Sequence, residues 1–381
     1  MEKIKNITPK IKYMPEYDAD TIKALTYDGM PIGENENKTK VFAYIGYPDI
    51  ADDEKFPAVV LVHGGGGHAY YKWVRMWNEM GYAAIAMDTT GYYPAAVNGA
   101  GGEEGDNIKW VHGVNCNSDF AESGYIDAPD NDHMSSSEQS LDTQWMYHAV
   151  ADTILAHNIF RGDPRIDSDK IGITGISWGG VITSLAIGYD NRYAFAIPIF
   201  GAGYMSDNTR SISNCFQDEM TKKLWLAEDR FNNITMPVFW FNWNKDVHFS
   251  METTTWSYRD TVKNNPLTII SLKDGMNHSH YHGWVCKENF LFADSIIKGT
   301  PGFPRFLNQP RGRSIDCELY IPDGVTITAK IVCDDAYHPA VIENNKVTAV
   351  LDDTVTEYYV ELNMNIGGYD HISSSEHIII V

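Results

Sequence analysis

A serine among small residues, Gly175-Ile176-Ser177-Trp178-Gly179-Gly180, has the clearest chemical meaning in this 381-residue sequence. A free serine hydroxyl is a poor nucleophile. It needs a base within hydrogen-bond reach, a group orienting that base, and donors for the oxyanion that forms on the attacked carbonyl. The run Lys170–Thr174 (KIGIT) before it reads as a strand, and Trp178–Ile187 after it reads as a helix. A serine on a sharp strand-to-helix turn needs neighbours without bulky side chains, and Gly175, Gly179 and Gly180 meet that need. The helix N-terminus behind Ser177 also favours negative charge there.

The remaining parts follow in the order acid, then histidine, each just past a strand-like run. Val238–Asn242 ends in Trp243-Asn244-Lys245-Asp246, and Asp246 is the expected orienting carboxylate. Glu228, Asp229 and Asp260 compete, but they lie in helix-like sequence and are expected to face solvent. After Leu267–Leu272 come three histidines, His278, His280 and His282. His278 is the expected base, because a short turn through Gly275 brings it back over the serine; it would take the proton and return it to the leaving group. His280 is the alternative base, and His282 is expected to be a wall residue. The loop His63-Gly64-Gly65-Gly66-Gly67-His68 follows the apolar run Pro57–Val62. Backbone N–H groups near Gly65 and Gly66, with that of Trp178, are the expected oxyanion donors. His63 and His68 are expected to hold this loop. No Lys-Ser/Thr follows the glycines, so a phosphate-cradling loop is not supported.

Other constellations have plainer readings. The His-x-His-x-His spacing lacks further ligands at matched intervals, so no metal is expected, and nothing calls for a cofactor. Asp127, Asp130 and Asp132 do not fit a calcium loop and read as a solvated acidic turn. Trp73, Trp77, Trp110, Trp145, Trp243 and Trp284 include candidates for a sugar-stacking platform, but most are expected in the core.

The elements that must position these groups alternate. Strands are expected at Thr39–Tyr47, Pro57–Val62, Tyr82–Met87, Lys170–Thr174, Phe195–Ile199, Val238–Asn242 and Leu267–Leu272. Helices are expected at Tyr70–Met80, Leu141–Phe160, Trp178–Ile187 and Trp284–Ile297. This alternation implies an α/β fold, a mostly parallel sheet covered by helices. Residues 89–140, rich in Gly, Asn, Asp and Ser, are too long for an ordinary connection. They read as an excursion that helps to shape the substrate pocket, anchored by Trp110, Val111, Phe120 and Tyr125. Beyond a Pro/Gly-rich boundary near 300–312, short β-type runs at 315–321, 325–332, 346–351, 357–362 and 377–381 suggest a small antiparallel sandwich. Two domains are therefore expected, 1–300 catalytic and 312–381 accessory.

Composition bounds the rest. A net charge of −21 would repel nucleic acid. No run approaches the roughly 20 apolar residues of a membrane span, and no leader peptide is visible at the N-terminus. The five cysteines form no Cys-x-x-Cys, so reduced thiols in a cytoplasmic protein are expected, with a Cys317–Cys333 bridge as the alternative.

Several stretches carry a family resemblance. They run from Asp142-Thr143-Gln144-Trp145-Met146-Tyr147-His148 through Gly175–Gly180 to Gly188-Tyr189-Asp190-Asn191-Arg192-Tyr193 and Pro198-Ile199-Phe200-Gly201. On these residues the chain resembles the acetyl xylan esterase and dienelactone hydrolase branch of the α/β-hydrolases, over about 39–300. The resemblance implies an eight-stranded hydrolase sheet and the triad Ser177, Asp246 and His278. It also implies removal of small acyl groups from carbohydrates, with a small ester or acylated saccharide as partner. Two other functions compete: a serine peptidase of the prolyl-oligopeptidase type, and a non-catalytic carbohydrate-binding protein acting through its C-terminal sandwich. Excursion 89–140 and the C-terminal β region depart from the compact members of that branch.

Overall fold

A computed structural model describes residues 1–31, 38–49, 55–96, 109–112, 140–333, 336–366 and 368–380. In chain order the strands begin with β1 (Ile11–Tyr13), β2 (Lys23–Pro31), β3 (Lys38–Gly46), β4 (Phe56–Val62) and β5 (Ala83–Met87). A hairpin follows, β6 (Tyr92–Ala96) and β7 (Lys109–His112). Next come β8 (Ile166–Ile176), β9 (Ala196–Ile199), β10 (Phe239–Trp243) and β11 (Ile269–Lys273). The central sheet has the order β1-β2-β3-β5-β4-β8-β9-β10-β11. From β5 to β11 every neighbour is parallel, while β1, β2, β3 and β5 pair antiparallel.

That sheet carries nine strands where the family resemblance implies eight. The strands missing from the sequence reading, β1 and β2, have a physical reason to escape it. All three residues of β1 are exposed, and β2 (KALTYDGMP) contains the turn-forming residues Asp28, Gly29 and Pro31. Pairing on both sides overrides that local preference and buries Leu25 and Tyr27 completely. The inner strands behave as their composition demands: Ala58–Val62 and Ala83–Met87 are buried throughout, because helices cover both faces.

The helices are α1 (Tyr71–Glu79), α2 (Trp145–Gly162), α3 (Trp178–Tyr189), α4 (Glu219–Trp225), α5 (Met251–Thr261), α6 (His280–Trp284) and α7 (Lys287–Ile297). The expected closing helix 284–297 is thus two, interrupted at Val285 and Cys286. Trp73, Trp77, Trp145 and Trp284 are core residues. Most of excursion 89–140, including Asp127, Asp130, Asp132, Phe120 and Tyr125, lies outside the described residues. No helix among the described residues is long and apolar enough to cross a membrane.

After β11 the chain builds two antiparallel sheets. One joins β12 (Arg305–Phe306), β13 (Ser314–Tyr320), β17 (Lys346–Val350) and β16 (Val341–Glu343); the other joins β15 (Ala336–Pro339), β14 (Ile327–Cys333), β18 (Glu357–Ile366) and β19 (Tyr369–Ser374), with β20 (Ile378–Ile379) on β18. Strand β13 alternates strictly, and its buried Ile315, Cys317 and Leu319 meet Ile331, Val347, Val360 and Leu362 in a core of their own. Cys317 and Cys333 are not joined in a disulfide. Val332, Tyr359 and Met364 instead belong to the large core, so the C-terminal sheets share apolar surface with the central one.

Leu362 is fully buried in the smaller core, so Leu362→Ala should cost about 2–5 kcal/mol through lost burial and a cavity. Because the two cores touch, guanidinium unfolding of that variant should show one transition at lower denaturant. Two separated transitions would mean that the C-terminal sheets unfold on their own.

Candidate active site

The local chain geometry at Ser177 follows from close backbone approach. Strand β8 ends at Ile176 and α3 begins at Trp178, leaving Ser177 at φ 58 and ψ −120. For a residue with a side chain such a backbone is strained, by roughly 1–3 kcal/mol. It is held by the Ser177 N–H donating to the Ile199 carbonyl at 2.8 Å and the Ser177 carbonyl accepting from Val181 at 3.1 Å. Any Cβ on Gly179 would strike the Val62 carbonyl oxygen, so α3 can pass under the end of β4 only with glycine there.

Ser177 Oγ lies 2.8 Å from His278 Nε2, and His278 Nδ1 lies 2.6 Å from Asp246 Oδ2. The carboxylate partner assigns the proton to Nδ1 and leaves Nε2 as acceptor toward the serine. Asp246 is buried, and its other oxygen accepts the backbone N–H groups of His248 at 2.7 Å and Phe249 at 2.9 Å. Three donors thus keep this carboxylate aimed. The His278 ring lies between aromatic rings, with centroids 5.1 Å from Phe200 and 5.8 Å from Phe249. His248 packs edge-on against it at 4.7 Å, its Nδ1 2.7 Å from Ser211 Oγ.

His280 sits elsewhere. Its Nε2 accepts the Gly64 N–H at 2.9 Å, and its ring packs on Tyr70. Burial, reinforced by the neighbouring His63, pushes its pKa down to about 3, so it is neutral at neutral pH. The Gly64 N–H is therefore engaged, and a Cβ on Gly64 would come within 2.8 Å of the Ser177 Cβ. The glycine loop lies against the serine. Gly65 is half-buried, and Gly66 is exposed with φ 68. The Trp178 N–H opens α3, where the helix ladder leaves amides unused. His63 is buried, with Nδ1 2.7 Å from the Gly64 carbonyl and Nε2 accepting the Thr89 N–H at 2.9 Å. His282 is half-buried, its Nδ1 3.1 Å from Ser279 Oγ.

Among the competing acids, Asp229 is exposed, and Asp260 pairs with Lys263 and Tyr204. Glu228 differs from the solvent-facing expectation: it is half-buried and accepts the Tyr204 N–H at 2.7 Å. Sequence reasoning missed Phe249 and His248 around the imidazole, since nothing periodic marks them. Phe200 stands in the quoted Pro198–Gly201 stretch, which was its only signal. Among the described residues no group of three or more His, Cys, Asp or Glu could hold a metal.

The C-terminal sheets touch both loops of this site. Asn244, two residues before Asp246, donates to the Tyr359 hydroxyl at 3.1 Å. Asp274, four residues before His278, accepts the Tyr337 hydroxyl, and Leu272 N–H donates to Ser374 Oγ at 3.0 Å.

A mostly parallel sheet flanked by helices, with a serine on a strand–helix turn at the carboxyl end of a central strand, defines an α/β-hydrolase, and the chain is a serine esterase. The family model for acetyl xylan esterase (AXE1) matches residues 1–222, more than half of the chain, and the chain belongs to that family. The matched segment contains Ser177 and ends before Asp246 and His278. Acetyl xylan esterase 1 from Thermoanaerobacterium sp. JW/SL YS485 superposes with a TM-score of 0.51 at 15% identity, over 77% of this chain and 92% of that one. Acylaminoacyl peptidase from Pyrococcus horikoshii gives 0.51 at 18% identity, over 78% of this chain but 43% of the peptidase. At such identities the likeness is one of fold. No curated protein sequence matches.

His280, His68 and His148 are all buried, with pKa values pushed down by burial to about 3, 3 and 4. The unfolded chain takes up their protons near pH 6.5 and the folded one does not. Their contribution is therefore fully present above about pH 6.5 and is lost as pH falls toward 4. The melting temperature should drop between pH 6.5 and 5, and less steeply in His280→Gln. Equal slopes for the two proteins would remove His280 from this linkage.

Proposed function

We propose that Ser177 is the nucleophile, His278 the general base and acid, and Asp246 the group that orients it. The oxyanion donors are then the Trp178 N–H and an N–H of the loop at Gly65 and Gly66. The observation that carries this reading is the unbroken chain from Ser177 Oγ to His278 Nε2 at 2.8 Å and from Nδ1 to Asp246 at 2.6 Å. Attack of Oγ on an ester carbonyl passes the serine proton to Nε2 and makes a tetrahedral oxyanion. Collapse breaks the bond to the alcohol, which leaves with the proton from Nε2 and a covalent acyl-serine behind. Water, deprotonated by the same nitrogen, then releases the carboxylic acid and restores the serine. His280 takes no part in proton transfer; it holds the loop.

The substrates we infer are carbohydrates bearing small acyl groups, acetyl foremost, in keeping with family membership. Under the same reading, residues 1–300 form the catalytic part and 312–381 an accessory β domain. The peptidase likeness favours no peptide substrate, because it covers less than half of that protein and extends to the fold alone.

Purified enzyme should hydrolyse p-nitrophenyl acetate and deacetylate xylan, leave a proline anilide intact, and lose activity to a fluorophosphonate. Ser177→Ala and His278→Ala should each lower kcat by about 10³-fold or more with near-native unfolding curves, since triad members act as a unit. His280→Ala should cost far less. If His280→Ala proved the more damaging of the two histidine variants, the base would be reassigned.

A further inference from the structure

A cleft of about 520 Å³ opens between the loop carrying Asp246 and the C-terminal sheets. Arg210, Asn244 and Lys245 line one side of it, and Glu357, Tyr359 and His377 the other. Its volume falls within the roughly 300–1,000 Å³ of small-molecule sites, which favour junctions between structural units. Asn244 and Lys245 immediately precede Asp246, so the cleft lies directly behind the loop whose other side faces His278.

The groups on its wall are chemically matched. His377 has a side chain only 1% exposed, and neither ring nitrogen makes a hydrogen bond. Nε2 stands 3.4 Å from the Glu357 carboxylate and Nδ1 3.9 Å from that of Glu252, both beyond good hydrogen-bonding distance. Its two nitrogens, closed off from solvent, rest between these carboxylates, so the groups around the ring must select the ligand, and they suit one that donates and accepts at once. A sugar hydroxyl does both. Arg210 and the Asn244 amide add donors and Glu357 an acceptor, while the buried Tyr359, its hydroxyl held by Asn244, closes the wall behind them.

We propose that this cleft is a saccharide-binding subsite, which holds a neutral stretch of the carbohydrate chain while an acyl group on another residue of the chain reaches Ser177. The proposal rests on the reading of the enzyme as a carbohydrate esterase. Charge does not favour an anionic ligand: Arg210 and Lys245 face Glu357 in the cleft, and Lys245 stands 3.9 Å from Asp274. Binding there would raise affinity for chains long enough to span both sites, without touching the chemistry.

The test uses the full chain. Calorimetry with unacetylated xylotetraose on Ser177→Ala should detect binding, and adding Glu357→Gln or Arg210→Ala should weaken it at least fivefold. Both side chains reach the rim of the cleft, so these variants should fold; His377→Ala is the interior counterpart. In the active enzyme the same substitutions should lower kcat/KM for acetylated xylotetraose at least fivefold relative to that for p-nitrophenyl acetate on the same preparation. If wild-type enzyme deacetylates the oligosaccharide but the variants leave both binding and that ratio within twofold, the subsite is refuted and the esterase reading stands. If wild type deacetylates no saccharide, the esterase reading falls, and calorimetry still decides the cleft. Binding of tetragalacturonate in preference to xylotetraose would overturn the assignment to a neutral chain.

Discussion

At Ser177 the backbone turns through φ 58, a region that L-residues with side chains enter only when their surroundings leave no alternative. Those surroundings are specific. The carbonyl of Val62, at the end of β4, presses on Gly179, and the carbonyl of Ile199, at the end of β9, takes the serine amide. Two neighbouring strands therefore clamp the turn from both sides. The strain lifts the hydroxyl clear of the sheet and aims the first amides of α3 at the space beside it. Every other group at the site is placed with respect to that turn.

Three histidines within five residues receive three different environments. His278 meets a buried carboxylate on one nitrogen and a serine on the other, with Phe200 and Phe249 limiting its tilt. His280, sunk among Tyr70 and the glycine loop, stays neutral and acts as a hydrogen-bond acceptor for Gly64. His282 begins a short helix and contacts Ser279. On the roles proposed above, the same side chain relays a proton at one position and braces a loop at another, according to what burial and its partners make of each nitrogen.

The C-terminal sheets are joined to this machinery by more than a linker. Tyr359 meets the loop of the acid, Tyr337 meets the loop of the histidine, and Ser374 caps the end strand β11. Loops at the edge of a sheet are its least constrained parts. Hydroxyl groups from a second β layer reduce that freedom at Asn244 and Asp274, close to Asp246 and His278. The same packing creates the cleft behind the Asp246 loop, so support of that loop and the proposed saccharide subsite share one surface.

Local sequence was enough for the elements whose character is set by near neighbours. The apolar runs of β4, β5 and β10, the glycines around Ser177, and the alternation of β13 are patterns that burial or steric limits impose within a few residues. They place Ser177, Asp246 and His278 past the ends of three strands, in that order along the chain. Strands β1 and β2 escaped, because what holds them is pairing across the sheet and not their own composition. The choice between His278 and His280 is argued in the sequence only from a turn through Gly275, while their environments differ through contacts made far away in the chain, 101 residues from His278 to Ser177 and 216 from His280 to Gly64. His248, Phe249 and His377 were invisible for the same reason. Their surroundings consist of partners brought together by the fold, and no spacing along the chain encodes such a meeting.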